Sequence, residues 1–196
     1  MKIVAVSQRV DVYPERNERR DALDQNMSIW LHAAGFLPFP VPNRLAFGEE
    51  VSGWLDVLQP VGLVLSGGND IGTVRDRDFT EELMMRYAEQ CNLPLLGIGR
   101  GMQMIARANL IRLKSVNGHI GGYHTVQGEI SGTVNSYHQF CLEDCPPDFR
   151  VLARSEDGVI EAIRHDGLRW EGWMWQPEKN HEFDPGDIGR VRALFA

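Results

Sequence analysis

Cysteine is scarce, and its three copies, Cys91, Cys141 and Cys145, form no recognisable framework. An odd count without motif spacing excludes a disulfide-built scaffold and fits a reducing compartment, so a cytoplasmic location is expected. No apolar run approaches the ~20 residues of a membrane span, and the opening MKIVAVSQRV turns polar too soon to read as a signal peptide. Positive charge is in deficit: 20 Lys and Arg against 27 Asp and Glu give a formal net charge of −7. That balance argues against a nucleic-acid or anionic-membrane partner, since either needs a basic face. It leaves room for a small pocket in which a few arginines hold an anion. His119 and His124 lie in a glycine-rich loop with no carboxylate or cysteine at metal-ligand spacing, so no metal site and no cofactor are expected. No repeat, low-complexity tract or linker interrupts the 196 residues, which read as a single domain over 1–196.

What is present is an alternation of short apolar runs with helical patterns, the mark of an α/β fold with a central, mostly parallel sheet flanked by helices. Strands are expected at residues 2–7, 36–41, 61–66 and 93–98, and helices at 21–34, 49–58, 79–90 and 102–109. Pro38 and Pro40 place the second of those strands at an edge. The mixed charges of Glu18, Arg19, Arg20 and Asp21 read as a solvated helix start. Beyond residue 110 the texture changes to antiparallel strands, at 125–128, 132–136, 150–153, 159–163 and 172–175, closed by a helix at 187–195. Trp173 and Trp175 share one strand face and are expected in the core.

The most informative stretch is GIGRGMQ at residues 97–103, where a strand turns into a helix with glycines on both sides of one central position. That is the pattern of a nucleophile elbow. The glycines allow close backbone approach, the central side chain projects over the C-terminal edge of the sheet, and the helix start offers amide donors to an oxyanion.

GIGRGMQ resembles the elbow GICRGMQ of class I glutamine amidotransferases, in the peptidase C26-like branch of γ-glutamyl hydrolases. Further landmarks fall in the same order. LSGGND at 65–70 resembles the glycine-rich oxyanion loop, VNSYHQF at 134–140 a substrate-side loop, and WMWQPEKN at 173–180 the motif that carries the triad's histidine and glutamate. DGVIEAIRH at 157–165 resembles the strand pair before that motif, and both ends of the chain are most similar to γ-glutamyl-CDP-amidate hydrolases of surface-polysaccharide synthesis. The resemblance implies a flavodoxin-like sandwich and hydrolysis of a γ-glutamyl amide. It implies a small γ-glutamyl ligand, nucleotide-linked in that subfamily, and leaves a partner enzyme or a homo-oligomer open.

Two positions depart from the resemblance. Gly99 stands where the family carries its nucleophilic cysteine, and Gln176 where it carries histidine; of the triad only Glu178 remains. Glycine supplies no nucleophile, and glutamine cannot take and return a proton near neutral pH. The chain is therefore expected to be inactive or nearly so as an enzyme. Cys141 and Cys145 flank a predicted loop, not the elbow, and are not read as substitutes. Glycine with glutamine fits natural loss of reactivity better than design, because glycine relieves the strained backbone of an elbow.

Gly67 and Gly68 are expected as oxyanion-loop donors, with a simple tight turn as the alternative. Arg100 and Gln103 are expected to face the γ-glutamyl site, although Arg100 would serve equally as an anchor of its helix. Arg9 ends the first strand on the ligand-binding edge and is a candidate for an anionic group. Asn135, Ser136 and His138 lie in the substrate-side loop, with His138 read either as a ligand contact or as a satisfied loop histidine. A non-catalytic binding or regulatory module, and a partner protein kept for its surface, are the alternatives to a disarmed hydrolase.

Overall fold

The structure is a computed structural model that describes residues 1–48 and 50–196. Strand β1 (Lys2–Val6) leads through Ser7 into a hairpin of β2 (Arg9–Tyr13) and β3 (Glu18–Ala22). The charged run at 18–21 is thus a strand and not a helix start. Asp11 lies opposite Arg20 in the hairpin, though their charges pair along their own strands with Arg9 and Glu18, and Arg19 reaches out to both Asp76 oxygens at 2.6 Å. Helix α1 (Gln25–Ala33) accordingly starts later than residue 21, after Asp24, whose carboxylate accepts from the Asn26 amide at 2.9 Å.

Strand β4 (Phe36–Pro40) pairs with β1 and lies at the sheet edge, where the missing N–H groups of its prolines are tolerated. A 3₁₀ turn at Asn43–Gly48 leads to α2 (Val51–Leu58); Glu49, expected as the first residue of that helix, lies outside the described residues. There follow β5 (Gly62–Leu65), α3 (Arg75–Gln90), β6 (Leu95–Ile98) and α4 (Arg100–Ala108). Helix α3 begins at Arg75, ahead of the expected residue 79, with Asp76 and Asp78 favourably placed in its first turn.

The second half supplies β7 (Leu113–Ser115), β8 (Ile120–Gly128), β9 (Gly132–Tyr137), β10 (Phe140–Leu142), β11 (Phe149–Ser155), β12 (Ile160–His165), β13 (Trp170–Trp173) and α5 (Pro185–Leu194). Nine strands form one mixed sheet in the order β4-β1-β5-β6-β13-β12-β11-β8-β9, with neighbours parallel as far as β13 and antiparallel beyond it. The strand expected at 172–175 therefore lies at 170–173 and joins the two halves, antiparallel to β12 but parallel to β6.

Alternation along the buried strands sorts the core into two layers. Ala5, Leu63, Leu65 and Leu95 face α2, α3 and α4 through Leu55, Met84 and Ile105. Val4, Val6, Val64, Leu96 and Ile98 face α1 and α5 through Trp30, Leu31 and Val191. Trp173 and Trp175 are both buried in this second layer, stacked with ring centroids 5.3 Å apart. Among the described residues no helix is long and apolar enough to cross a membrane.

Candidate active site

The parallel strands β1, β5 and β6 all end on one edge, and each hands a loop to the same cavity. At the end of β6, Gly99 takes φ 55° and ψ −111°, a left-handed conformation that side chains disfavour. Its N–H donates to the Trp173 carbonyl at 2.7 Å, and its own carbonyl accepts from the Met102 and Gln103 amides as α4 begins. Gly101 sets how close that helix comes to the sheet. A Cβ there would lie 2.1 Å from the Leu65 carbonyl oxygen, an approach open only to glycine.

After β5, residues 66–70 form the glycine-rich loop. Arg77, fully buried on α3, donates from Nη2 to the carbonyls of Ser66 at 2.7 Å and Gly67 at 2.8 Å. Its charge is answered by Glu81 one turn on, at 3.2 Å. Glu81 also accepts from the Ser7 hydroxyl at 2.7 Å and pairs with Arg100, which pairs in turn with Asp78. One buried carboxylate thereby ties the end of β1, the glycine loop and the start of α4 together. Burial alone would push its pKa up, yet Arg100 and Arg77 hold it below the ordinary carboxylate value. Arg100 acts as an anchor of its helix and also lines the cavity.

The third wall is the segment after β13. Gln176 presents its side-chain amide to both glycines: a Cβ on Gly67 would lie 3.3 Å from its Oε1, and one on Gly99 3.5 Å from its Nε2. The backbone of Gln176 is clamped by Asn135, which accepts from its N–H at 2.9 Å and donates to its carbonyl at 2.7 Å. Glu178 follows in a short 3₁₀ turn, buried, with Oε2 left without a hydrogen-bond partner. Burial pushes its carboxyl up to about 7, against the opposing pull of its own backbone amide and of Lys179.

This value carries a stability prediction. From an ordinary pKa of 4.5 up to about 7, the folded chain holds a proton on Glu178 that the unfolded chain has released. Burial of this group therefore costs stability progressively over that window and in full above it, by about 3 kcal/mol. Glu178→Gln, which has no charge to desolvate, should gain about that much relative to the parent between pH 4 and pH 8. Urea midpoints at both pH values measure it, and parallel pH curves for the two proteins would refute it. Asp187, also raised by burial to about 6, titrates in both proteins and drops out of the comparison.

Arg9, Gly67, Gly68, Gly99, Arg100, Gln103, His138, Gln176 and Glu178 all line one cavity of about 380 Å³, the size of a small-molecule site. Arg9 is half exposed and pairs with Asp11 at 2.8 Å, and Gln103 donates to the Phe140 carbonyl at 3.0 Å. Asn135 and Ser136 do not reach the cavity surface. They are buried behind it, Asn135 on the Gln176 backbone and Ser136 donating to the His119 carbonyl at 2.7 Å. His119 and His124 do have a carboxylate neighbour, contrary to their sequence spacing, because the fold brings Glu161 to both at 3.4 Å. Sequence reading also missed Arg77 and Glu81. Their i, i+4 spacing is a signal, but one shared by many solvated helix pairs.

Comparison with known proteins gives a consistent result. A family model, glutamine amidotransferase class-I, matches residues 37–186. The chain is 28% identical over 184 residues to the γ-glutamyl-CDP-amidate hydrolase of Campylobacter jejuni, covering 91% of this chain and 90% of that protein. It is 35% identical over 135 residues to a glutamine-hydrolyzing GMP synthase subunit of Methanosarcina barkeri, covering 63% and 67%. Among solved structures, a Thermoplasma acidophilum protein provisionally described as a GMP synthase subunit superposes with a TM-score of 0.76 at 23% identity, over 100% of this chain and 94% of that one. The chain belongs to the class I glutamine amidotransferase family.

Proposed function

We propose that this chain is a disarmed γ-glutamyl hydrolase, which holds a γ-glutamyl ligand in the cavity at the sheet edge and turns it over feebly or not at all. The observation that carries the reading is the buried Glu178, one of whose carboxylate oxygens has no hydrogen-bond partner. A carboxylate this costly is retained where a neighbour once shared its charge, and the position two residues earlier now carries a glutamine amide. In this reading Gly99 occupies the nucleophile position and Gln176 the proton carrier's. The amides at the start of α4 and the loop of Gly67 and Gly68 would receive the carbonyl oxygen of the ligand. Arg9, half exposed on the cavity rim, suits a carboxylate or phosphate group.

A nucleotide-linked γ-glutamyl compound is the ligand we favour, since the Campylobacter protein is similar over nearly its whole length. The GMP synthase relatives are named as parts of larger enzymes, which supports a partner enzyme for this chain too. We place it in the cytoplasm, as a single domain. A thermal-shift titration tests the binding reading. L-glutamate, γ-glutamyl amides or cytidine-diphosphate-linked γ-glutamyl compounds should raise Tm by several degrees at a hundredfold excess over Kd. Silence with all three classes would leave only the scaffold reading.

A further inference from the structure

Glu161, on β12, has no exposed surface, and neither of its carboxylate oxygens has a hydrogen-bond partner. Burying a carboxylate in that state is expensive, so something must answer its charge. Three imidazole nitrogens surround its Oε1, each at 3.4 Å: His119 Nδ1, His124 Nε2 and His138 Nε2. His119 Nδ1 and His138 Nε2 are themselves 3.1 Å apart.

The far sides of two rings decide which nitrogens carry protons. His119 Nε2 lies 2.9 Å from Asp157 Oδ2, and His138 Nδ1 lies 3.1 Å from the Phe140 carbonyl. Both oxygens only accept, so the proton of each neutral ring is on that far nitrogen. Each ring then turns a lone pair toward Glu161. His124 Nε2 is also buried without a hydrogen-bond partner. His119, His138 and Glu161 thus turn acceptors toward one another with no donor between them, and a cation is what makes such a set favourable. An extra proton on one ring would serve one contact but leave the second Glu161 oxygen and His124 unanswered.

We propose that His119, His124 and Glu161, with His138 packed against His119 and Glu161, form a buried binding site for a divalent transition-metal cation, with zinc the best match. Imidazole and carboxylate ligands suit zinc, and tetrahedral ligand atoms at zinc's bond lengths stand about 3.3 Å apart, close to the 3.4 Å that separates each imidazole nitrogen from Glu161 Oε1. Asp157 and the Phe140 carbonyl are the outer partners that fix ring tautomer and orientation. The burial of these ligands suits a structural role for the site. It ties the β8–β9 hairpin to β12 and, through His138, holds the 137–140 wall of the cavity in place.

The test uses the full chain without a metal-binding tag. After dialysis against metal-free buffer, elemental analysis should find about one zinc per chain. Chelation should lower Tm by roughly 5–10 °C and added zinc should restore it. His124→Ala, at the most exposed of the three rings, should lose the metal while remaining folded, and Asp157→Asn should weaken zinc binding roughly 10–100-fold. If His124→Ala does not fold, Asp157→Asn carries the comparison. A metal-free chain whose Tm does not respond to zinc, manganese, cobalt, nickel or ferrous ion overturns the proposal. So does equal zinc binding by the parent and both variants, since the metal would then sit elsewhere.

Discussion

Gly99→Cys combined with Gln176→His should raise glutamate release from L-glutamine or γ-glutamyl amides by about 10³-fold or more over the parent chain. The thiol has room. A Cβ at position 99 would meet Gln176 Nε2, Gln176 Cγ and the Met174 carbonyl at 3.5–3.7 Å, all ordinary contacts. Position 176 is held from behind by Asn135 through its backbone, so a histidine placed there keeps its orientation. Glu178 would gain an imidazole to orient and should shed its raised pKa. Either single change should stay near background, because a thiol without a base and a base without a thiol each lack half of one step. The double variant should also lose about 1–3 kcal/mol of stability, the cost of a side chain at φ 55°. Glutamate release and urea midpoints on the same preparations measure both effects. A folded double variant that stays silent would mean that ligand contacts have changed along with the chemistry. Turnover by the parent chain would mean that the reaction does not pass through position 99.

The parts of this structure that were legible in the sequence are those whose signal is local. The apolar runs ending at Leu65 and Ile98 announce central parallel strands, and GIGRGMQ announces the turn between β6 and α4. Long-range chemistry was hidden. Arg77 and Glu81 look like a solvated i, i+4 pair, and nothing in the chain says that Ser7, Ser66 and Arg100 converge on them. Glu161 sits in an apolar strand far from His119, so no spacing rule links it to the histidines. Asn135 was expected at the ligand because of its loop, whereas its side chain is spent on the backbone of residue 176. Charge misled at Glu18–Ala22, where cross-strand pairing and Asp76 outweigh the composition of a helix start. The strands Leu113–Ser115 and Phe140–Leu142 are too short for a period-2 pattern to register.

Glu81→Gln should destabilise the chain by about 3–5 kcal/mol at neutral pH, because it removes the anion between two buried guanidinium groups. Arg77 would keep its bonds to the Ser66 and Gly67 carbonyls, and Arg100 its contact with Asp78, but neither charge would be balanced as before. The glycine loop and the start of α4 should loosen together, since Glu81 is their common tie. A ligand-induced Tm rise should therefore shrink in this variant. The pH dependence should run opposite to that of Glu178. The folded pKa of Glu81 is depressed, so its contribution is present above the ordinary value of 4.5 and is lost as pH falls through the folded value. The stability gap between parent and Glu81→Gln should narrow in acid, while Glu178→Gln gains on the parent as pH rises. Urea midpoints from pH 3 to pH 8 for the three proteins separate the two behaviours. A Glu81→Gln variant within about 0.5 kcal/mol of the parent at neutral pH would show that backbone carbonyls suffice for Arg77 and that the site's two walls are held by packing instead.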